Sequence, residues 1–224
     1  MVNFAVQRKN MVESQVRPSD VVDRRILRAM LEIPREMFVP EDVRSLAYID
    51  REVRMSPQSN GARYLMAPRV HARLIQALEL EDDDIVLEVG CGTGYGSAVM
   101  AKLAQTVFGL ESDPALAATA TETLSALGID NAVVVVGSLT AGWPSEGPYD
   151  AILLSGAVPE VPATLFDQLK DGGRLVAVIA DGTVGRATIW QRSGQNVSPE
   201  LCLTLLRLRC LDSSVRPSSY SDRQ

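Results

Sequence analysis

The chain has 224 residues and a mass of 24.3 kDa, which suits one α/β domain with a small N-terminal extension. Apolar residues make up 46% and charged residues 22%, and this composition excludes collagen-like and wholly disordered chains. No apolar run reaches the roughly 18 residues that span a bilayer, and the N-terminus lacks the apolar core of a signal peptide. We therefore expect a cytoplasmic enzyme or binding domain.

The net charge and the small numbers of cysteine and histidine residues indicate which ligands and partners the protein lacks. The net charge is −6, and the acidic excess lies in residues 61–200, whereas nucleic-acid binders usually carry a basic surface. Three cysteines are too few for a disulfide framework or a four-cysteine metal site, and His71 is the single histidine. We expect no nucleic-acid partner, no membrane partner and no metal, and we favour a monomer.

The N-terminal part reads as helices and irregular chain. Apolar residues from Val21 to Ile33 recur at helical spacing, with Ser19 or Asp20 as the cap and Pro34 as the stop. An apolar patch at residues 37–40 should dock on the main domain. Residues 46–68 look irregular, and an amphipathic helix should follow over residues 70–80, opened by Pro68.

From residue 85 onward, short apolar runs alternate with helical segments. The runs are apolar throughout, as expected of strands buried on both faces, and lie at 85–89, 106–110, 132–136, 151–154 and 174–179. Helices are predicted at 96–104, 114–127 and 162–170, and an antiparallel edge hairpin at 187–191 and 201–206. The pattern predicts an α/β fold, a Rossmann-like, doubly wound, mainly parallel sheet. We expect an extension over 1–80 that roofs the site, a cofactor-binding domain over 81–211 and a disordered polar tail over 212–224.

A glycine-rich turn follows the first of these strands. Gly90, Gly92 and Gly94 give the spacing G-x-G-x-G, with Glu88 two positions before the first glycine. Glycines allow a tight turn and close approach of a ligand at the carboxyl edge of a parallel sheet. The dinucleotide fingerprint requires a glycine where Tyr95 stands. Loop spacing alone leaves both S-adenosyl-L-methionine and NAD open.

This loop resembles motif I of the class I S-adenosylmethionine-dependent methyltransferases, and Glu111 supports the resemblance because it ends the second strand, where a carboxylate can accept both ribose hydroxyls. The resemblance implies S-adenosyl-L-methionine as cofactor and negligible NAD binding. Ser138 stands where the family often carries an acid that contacts the adenine. The implied cofactor-binding residues are Glu88, Gly90, Cys91, Gly92, Gly94, Glu111, Ser112, Ser138 and Leu139.

Residues 20–190 also resemble the protein-L-isoaspartate O-methyltransferase family. The matching segments include Pro-Arg-Glu-Met-Phe-Val-Pro-Glu at 34–41, Ala-Tyr-Ile-Asp-Arg at 47–51, Gly-Trp-Pro at 142–144 and Gly-Gly-Arg-Leu-Val at 172–176. The resemblance implies methyl transfer to the carboxylate of L-isoaspartyl (D-aspartyl) residues in damaged proteins. The implied partner is a protein or peptide that carries such a residue.

The acceptor segment departs from the family pattern. The family usually carries Ile-Ser-Gln-Pro, whereas this chain has Leu65, Met66, Ala67 and Pro68, so the serine hydroxyl is replaced by a thioether. We interpret Leu65, Met66 and Ala67 as substrate-binding residues. A carboxylate acceptor is already ionised at neutral pH, so no catalytic base is named. We expect His71 to be a packing or surface residue and Cys91 to be passive. Two alternatives stay open, a diverged methyltransferase with another acceptor and a cofactor-binding module without turnover.

Overall fold

A computed structural model describes residues 3–56, 63–181 and 184–206, with the backbone alone for 181, 184 and 200–206. The polar tail predicted for residues 212–224 lies outside these described residues. None of the helices in the described part of the chain is long and apolar enough to cross a membrane.

The N-terminal segment combines helices with one short hairpin. It contains α1 (Phe4–Met11), α2 (Arg24–Glu32), β1 (Val53–Arg54), β2 (Tyr64–Leu65) and α3 (Pro68–Leu78). A π-helical turn (Val12–Val16) and three 3-10 turns (Arg17–Ser19, Arg35–Phe38 and Glu41–Leu46) connect these elements. Strands β1 and β2 pair antiparallel within the stretch that the sequence predicted to be irregular.

The predicted cap of α2 is wrong. Asp23, rather than Ser19 or Asp20, caps the helix, because its carboxylate accepts a 2.7 Å hydrogen bond from the amide of Arg25. Asp20 instead adopts a left-handed backbone conformation, with φ of 61°, and ends the preceding 3-10 turn. The predicted stop is confirmed, since α2 ends at Glu32 and Pro34 follows.

The rest of the described chain builds one seven-stranded sheet. Its elements are β3 (Ile85–Val89), α4 (Tyr95–Met100), β4 (Thr106–Glu111), α5 (Pro114–Ala126), β5 (Ala132–Val136), β6 (Tyr149–Val158), α6 (Ala163–Phe166), β7 (Leu169–Asp181), β8 (Val184–Ser193) and β9 (Asn196–Leu206). The strand order is β5-β4-β3-β6-β7-β8-β9. The first five strands in this order, from β5 to β7, are parallel to one another, and β8 and β9 pair antiparallel at the β7 side. The predicted Rossmann-like sheet with an antiparallel edge hairpin is therefore confirmed.

Strand order also identifies where a ligand should bind. The chain runs from β3 outward to β4 and β5, then returns to the other side of β3 with β6 and β7. The carboxyl end of β3 is therefore the switch point of the sheet, which is where open α/β folds bind their ligands. The glycine turn begins there, immediately after Val89.

Hydrophobic residues of the two sheet faces form two buried clusters. Along β3 the side chains alternate, so that Val86 belongs to the first cluster and Leu87 to the second. The first cluster also includes Phe38, Ile75 and Met100, and therefore joins the N-terminal segment to the sheet. This shared core fixes the position of the β1–β2 hairpin relative to the glycine turn.

Strands β6 to β9 are longer than predicted, two helices are shorter, and one strand is less buried. Helix α4 ends at Met100, and the Asn131 side-chain amide donates to the carbonyls of Ala101 and Ala104 that follow it. Helix α6 ends at Phe166, since β7 already begins at Leu169. Strand β5 is not buried on both faces; it is an edge strand, and Val133 and Val136 are 43% and 52% exposed.

Candidate active site

The glycine turn is tight and is closely approached by the hairpin. Gly90, Gly92 and Gly94 have φ of 79°, 58° and 89°, in the left-handed region that side chains rarely adopt. The amides of Gly90 and Cys91 both donate to the carbonyl of Leu110 on β4. A Cβ atom on Gly92 would lie 2.5 Å from Cε of Met55, so a side chain here would displace the Met55 side chain as well as strain the backbone.

Glu111, the last residue of β4, places a fully buried carboxylate beside this turn. Its Oε2 accepts a 2.8 Å hydrogen bond from the amide of Gly92. Its Oε1 accepts bonds of 2.7 and 3.0 Å from the amides of Ser112 and Asp113. The carboxylate is therefore held between the turn after β3 and the turn after β4.

An arginine from the N-terminal segment also reaches this carboxylate. Arg63 lies immediately before β2, and its Nη2 is 3.0 Å from Oε1 and 2.8 Å from Oε2 of Glu111. The Arg63 side chain is only 14% exposed. Sequence reasoning missed Arg63, because its partner lies far along the chain and no spacing pattern links the two residues.

Glu88 is buried and is held by serine hydroxyls. The Ser97 hydroxyl donates at 2.5 Å to Oε2, and the Ser155 hydroxyl donates to Oε1. Burial raises the pKa of Glu88 to about 7, against the opposing effect of these two hydrogen bonds. A Cβ atom on Gly96 would lie 2.1 Å from Oε1 of Glu88, so the glycine at this position makes room for the carboxyl group.

The segment Leu65, Met66 and Ala67 is buried and is held by Arg35. The Arg35 guanidinium, with no solvent exposure, donates at 2.6 Å to the carbonyl of Met66 and at 2.7 Å to the carbonyl of Ala47. It also lies 4.8 Å from the centre of the Tyr95 ring. Sequence reasoning missed this role, although Arg35 lies in the Pro-Arg-Glu segment that carries the family resemblance.

The other expected cofactor residues lie along the same edge of the sheet. Ser112 directly follows Glu111, and the carbonyl of Glu111 accepts a bond from the amide of Gly137, which places Ser138 and Leu139 in the neighbouring turn. The Ser138 hydroxyl is exposed and lies 3.1 Å from the hydroxyl of Thr140, whereas Leu139 packs against the second hydrophobic cluster. The turns after β3, β4 and β5 thus bring the expected residues together.

Cys91 and His71 are both buried, and burial keeps each side chain in its uncharged form. Cys91 is 4% exposed, and burial raises the pKa of its thiol, which disfavours a thiolate nucleophile. His71 is 2% exposed and its Nε2 lies 4.0 Å from Oε1 of Glu88. Burial, with the nearby charge of Arg35, lowers the pKa of His71 to about 3, so the imidazole is neutral and serves as a packing residue.

The N-terminal segment contacts the glycine turn at two points and Glu111 at a third. The Thr93 hydroxyl donates at 2.6 Å to the carbonyl of Phe38, Met55 lies against Gly92, and Arg63 binds Glu111. The Phe38 ring also meets the Tyr95 ring edge-on, with 5.4 Å between the ring centres. The hairpin and the Arg35–Phe38 turn therefore lie next to the carboxyl edge of the sheet.

The sequence matches a known family over most of its length. The model of the family described as protein-L-isoaspartate(D-aspartate) O-methyltransferase matches residues 6–202. A protein-L-isoaspartate O-methyltransferase of Syntrophobacter fumaroxidans is 41% identical, over 81% of this chain and 83% of the relative. A protein of the same name from Rhodopseudomonas palustris is 38% identical, over 99% of this chain and 91% of the relative.

Two solved structures share the fold. A protein-L-isoaspartate O-methyltransferase that is 28% identical superimposes with a TM-score of 0.81, over 91% of this chain and 65% of that chain. A Plasmodium falciparum structure named as a protein of this family, in complex with S-adenosyl-L-homocysteine, has a TM-score of 0.74 at 22% identity, over 95% of this chain and 99% of that chain. The second structure supports the fold alone.

Proposed function

The chain belongs to the protein-L-isoaspartate O-methyltransferase family, and we propose that its active site is the carboxyl edge formed by the glycine turn, Glu111 and the β1–β2 hairpin. It is an S-adenosyl-L-methionine-dependent methyltransferase for isoaspartyl residues of proteins. The observation that carries the proposed site is the buried carboxylate of Glu111 beside three positive-φ glycines at the switch point of the sheet.

The residues present fit the cofactor. Glu111 offers two acceptor oxygens at the sheet edge, and a ribose offers two adjacent hydroxyl donors. The glycine turn lacks the side chains that would block close approach. We propose that the cofactor, which supplies a methyl group on a positively charged sulfur, is held by Glu88, Gly90, Cys91, Gly92, Gly94, Glu111, Ser112, Ser138 and Leu139.

We propose that Leu65, Met66 and Ala67 border the acceptor carboxylate. Such a carboxylate, with a pKa of about 4, is ionised at neutral pH and needs no general base. The chain's contribution is then to hold the acceptor in line and to exclude water. Arg35 supports this by fixing the carbonyl of Met66, and the hairpin covers the turn.

We further propose the organisation around this site. Residues 1–80 act as its roof and residues 81–211 as the cofactor-binding domain, which is consistent with the contacts of Phe38, Met55 and Arg63 on the sheet edge. We also propose a cytoplasmic monomer that does not bind nucleic acid, in keeping with the net charge of −6. Light scattering of the purified protein tests the oligomeric state, and a dimer mass would contradict it.

Methyl transfer to a matched pair of peptides tests the function. The two peptides have one sequence and differ in carrying isoaspartyl or ordinary aspartyl at one position, and the cofactor carries a labelled methyl group. We expect base-labile label on the isoaspartyl peptide and background label on the aspartyl peptide. Glu122→Gln, which changes an exposed carboxylate on α5, is the matched control and should transfer at the wild-type rate. Equal labelling of both peptides, or of neither, would overturn the proposed acceptor.

A further inference from the structure

The two oxygens of Glu111 are fully used by donors of the protein. Oε1 accepts from the amides of Ser112 and Asp113, from the Ser112 hydroxyl at 3.3 Å and from Nη2 of Arg63 at 3.0 Å. Oε2 accepts from the amide of Gly92 at 2.8 Å and from the same Nη2 at 2.8 Å. A carboxylate has about four lone-pair positions, so these bonds leave none for two further hydroxyl donors.

One of these donors is far easier to displace than the others. The amides of Gly92, Ser112 and Asp113 belong to the backbone of the turns that end β3 and β4, and they cannot leave without unfolding those turns. Arg63 reaches Glu111 through a long side chain with several rotatable bonds. Its backbone is fixed, because its carbonyl accepts a 2.8 Å bond from the amide of Met55. Rotation of the Arg63 side chain and of the Ser112 hydroxyl would leave Glu111 with its three backbone donors, and so with one open acceptor position, on Oε2.

We infer that Arg63 competes with the ribose hydroxyls of the cofactor for Glu111 and so sets the affinity and selectivity of the cofactor site. The inference rests on the proposed role of Glu111 as the ribose acceptor. Arg63 and a ribose hydroxyl occupy the acceptor position on Oε2 of Glu111 one at a time. A ligand without a hydroxyl at this position cannot replace the bond from the guanidinium to Oε2, so the pair favours ligands that carry a ribose hydroxyl.

Competition has a measurable consequence for affinity. When the binding-competent form is only a fraction of the protein, the apparent dissociation constant rises by the inverse of that fraction. If the Arg63–Glu111 pair is favoured about tenfold over the open form, its removal tightens binding about tenfold. If Arg63 instead contacted the bound cofactor, its substitution would change the affinity in the opposite direction, because the lost contact would weaken binding.

Calorimetry with S-adenosyl-L-homocysteine tests the inference on the full chain. We expect Arg63→Met to bind about tenfold more tightly than the wild type, and Arg63→Lys to lie between them. Arg174→Met is the matched control, because Arg174 pairs with Glu79 and lies opposite Ala151, toward the amino ends of the parallel strands. Its affinity should stay at the wild-type value. Thermal unfolding without ligand verifies that each variant is folded.

Glu111→Gln separates the inference from its premise. We expect this variant to bind S-adenosyl-L-homocysteine more weakly, and Arg63→Met to give no further tightening when added to it. Suppose that Glu111→Gln binds S-adenosyl-L-homocysteine more weakly but Arg63→Met does not bind it more tightly. That result would overturn the competition, while Glu111 would still be the ribose acceptor. Unchanged binding by Glu111→Gln would overturn the ribose assignment and the competition together.

Discussion

Arg35 donates a 2.6 Å hydrogen bond to the carbonyl of Met66, so a fully buried guanidinium holds the segment proposed to border the acceptor. No ion pair found within residues 3–56, 63–181 and 184–206 includes Arg35. Its charge is stabilised by the carbonyls of Ala47 and Met66 and by the face of the Tyr95 ring. Burial lowers the pKa of Arg35, yet a guanidinium stays protonated in proteins.

Arg35→Lys should therefore destabilise the protein. A single ammonium group cannot reproduce the fork that reaches two carbonyls, and one lost hydrogen bond to a buried charge costs about 1.5–3 kcal/mol. Urea unfolding measures the difference. Arg54→Lys is the control, because its partner Asp42 is largely exposed, and it should change stability by less than about 1 kcal/mol. If Arg35→Lys is as stable as the wild type, the two hydrogen bonds from the guanidinium to the carbonyls of Ala47 and Met66 do not stabilise the fold.

Met66→Ser should increase methyl transfer to an isoaspartyl peptide. A hydroxyl can donate to the acceptor carboxylate, and a bond realised only in the transition state raises the rate roughly tenfold to hundredfold. Methionine has no such donor. Steady-state kinetics of both forms on one peptide measure the effect, while S-adenosyl-L-homocysteine affinity should change by no more than about threefold, since only a bond to the acceptor is added.

The Met66 experiment needs a control for stability as well as for chemistry. Met66 is 4% exposed, and truncation of a buried methionine costs about 2–5 kcal/mol, so the assay temperature must keep the variant folded. Met37→Ser, at a partly exposed position of the Arg35–Phe38 turn, should leave the rate unchanged. A lower rate in Met66→Ser, once folding is verified, would contradict the placement of Met66 beside the acceptor.

Glu88 should make the stability of the fold depend on pH. Burial raises its pKa in the folded state to about 7, from an ordinary value of 4.5. The protonated form is therefore favoured by folding, and this contribution is lost as the pH rises through about 7. When the pH rises from about 5.5 to about 8.5, the free energy of unfolding of the wild type should fall by about 2 kcal/mol more than that of Glu88→Gln.

Denaturant unfolding of both forms at the two pH values measures this difference. Glu88→Gln keeps the shape of the side chain and, like a protonated carboxyl group, presents one acceptor oxygen and one donor group to Ser97 and Ser155, but it does not titrate. Glu122→Gln, at an exposed position on α5, should follow the wild-type pH dependence. Parallel pH profiles for the wild type and Glu88→Gln would show that Glu88 is ionised across this range.

The central sheet could be predicted from the sequence because its signals are local. Continuous apolar runs such as Ile85–Val89, a proline at the start of α5 and Gly128 after its end each mark an element by itself. The caps and helix ends were harder, since Asp20 and Asp23 are chemically equivalent caps and only the backbone conformation distinguishes them. Val133 is exposed because β5 lies at the edge of the sheet, and the apolar sequence of β5 does not indicate that position.

For the site, sequence reasoning located the turn residues but missed the side chains that reach them from elsewhere. Gly92 and Glu111 were found because glycine spacing and strand ends are visible patterns. Arg63 and Arg35 act through partners that are distant in sequence, so their roles emerge only when the N-terminal segment folds over the sheet edge. The cofactor and acceptor roles of all these residues remain predictions.

Transfer of labelled methyl groups by Glu111→Gln tests most directly whether isoaspartyl methylation takes place at the Glu111 edge. The rate on one isoaspartyl peptide is measured against cofactor concentration for this variant and the wild type. We expect both to label the peptide, with the KM for S-adenosyl-L-methionine raised about tenfold or more in Glu111→Gln, because its uncharged amide is a weaker acceptor for the ribose. Transfer by the wild type with an unchanged KM in Glu111→Gln would contradict the proposed site.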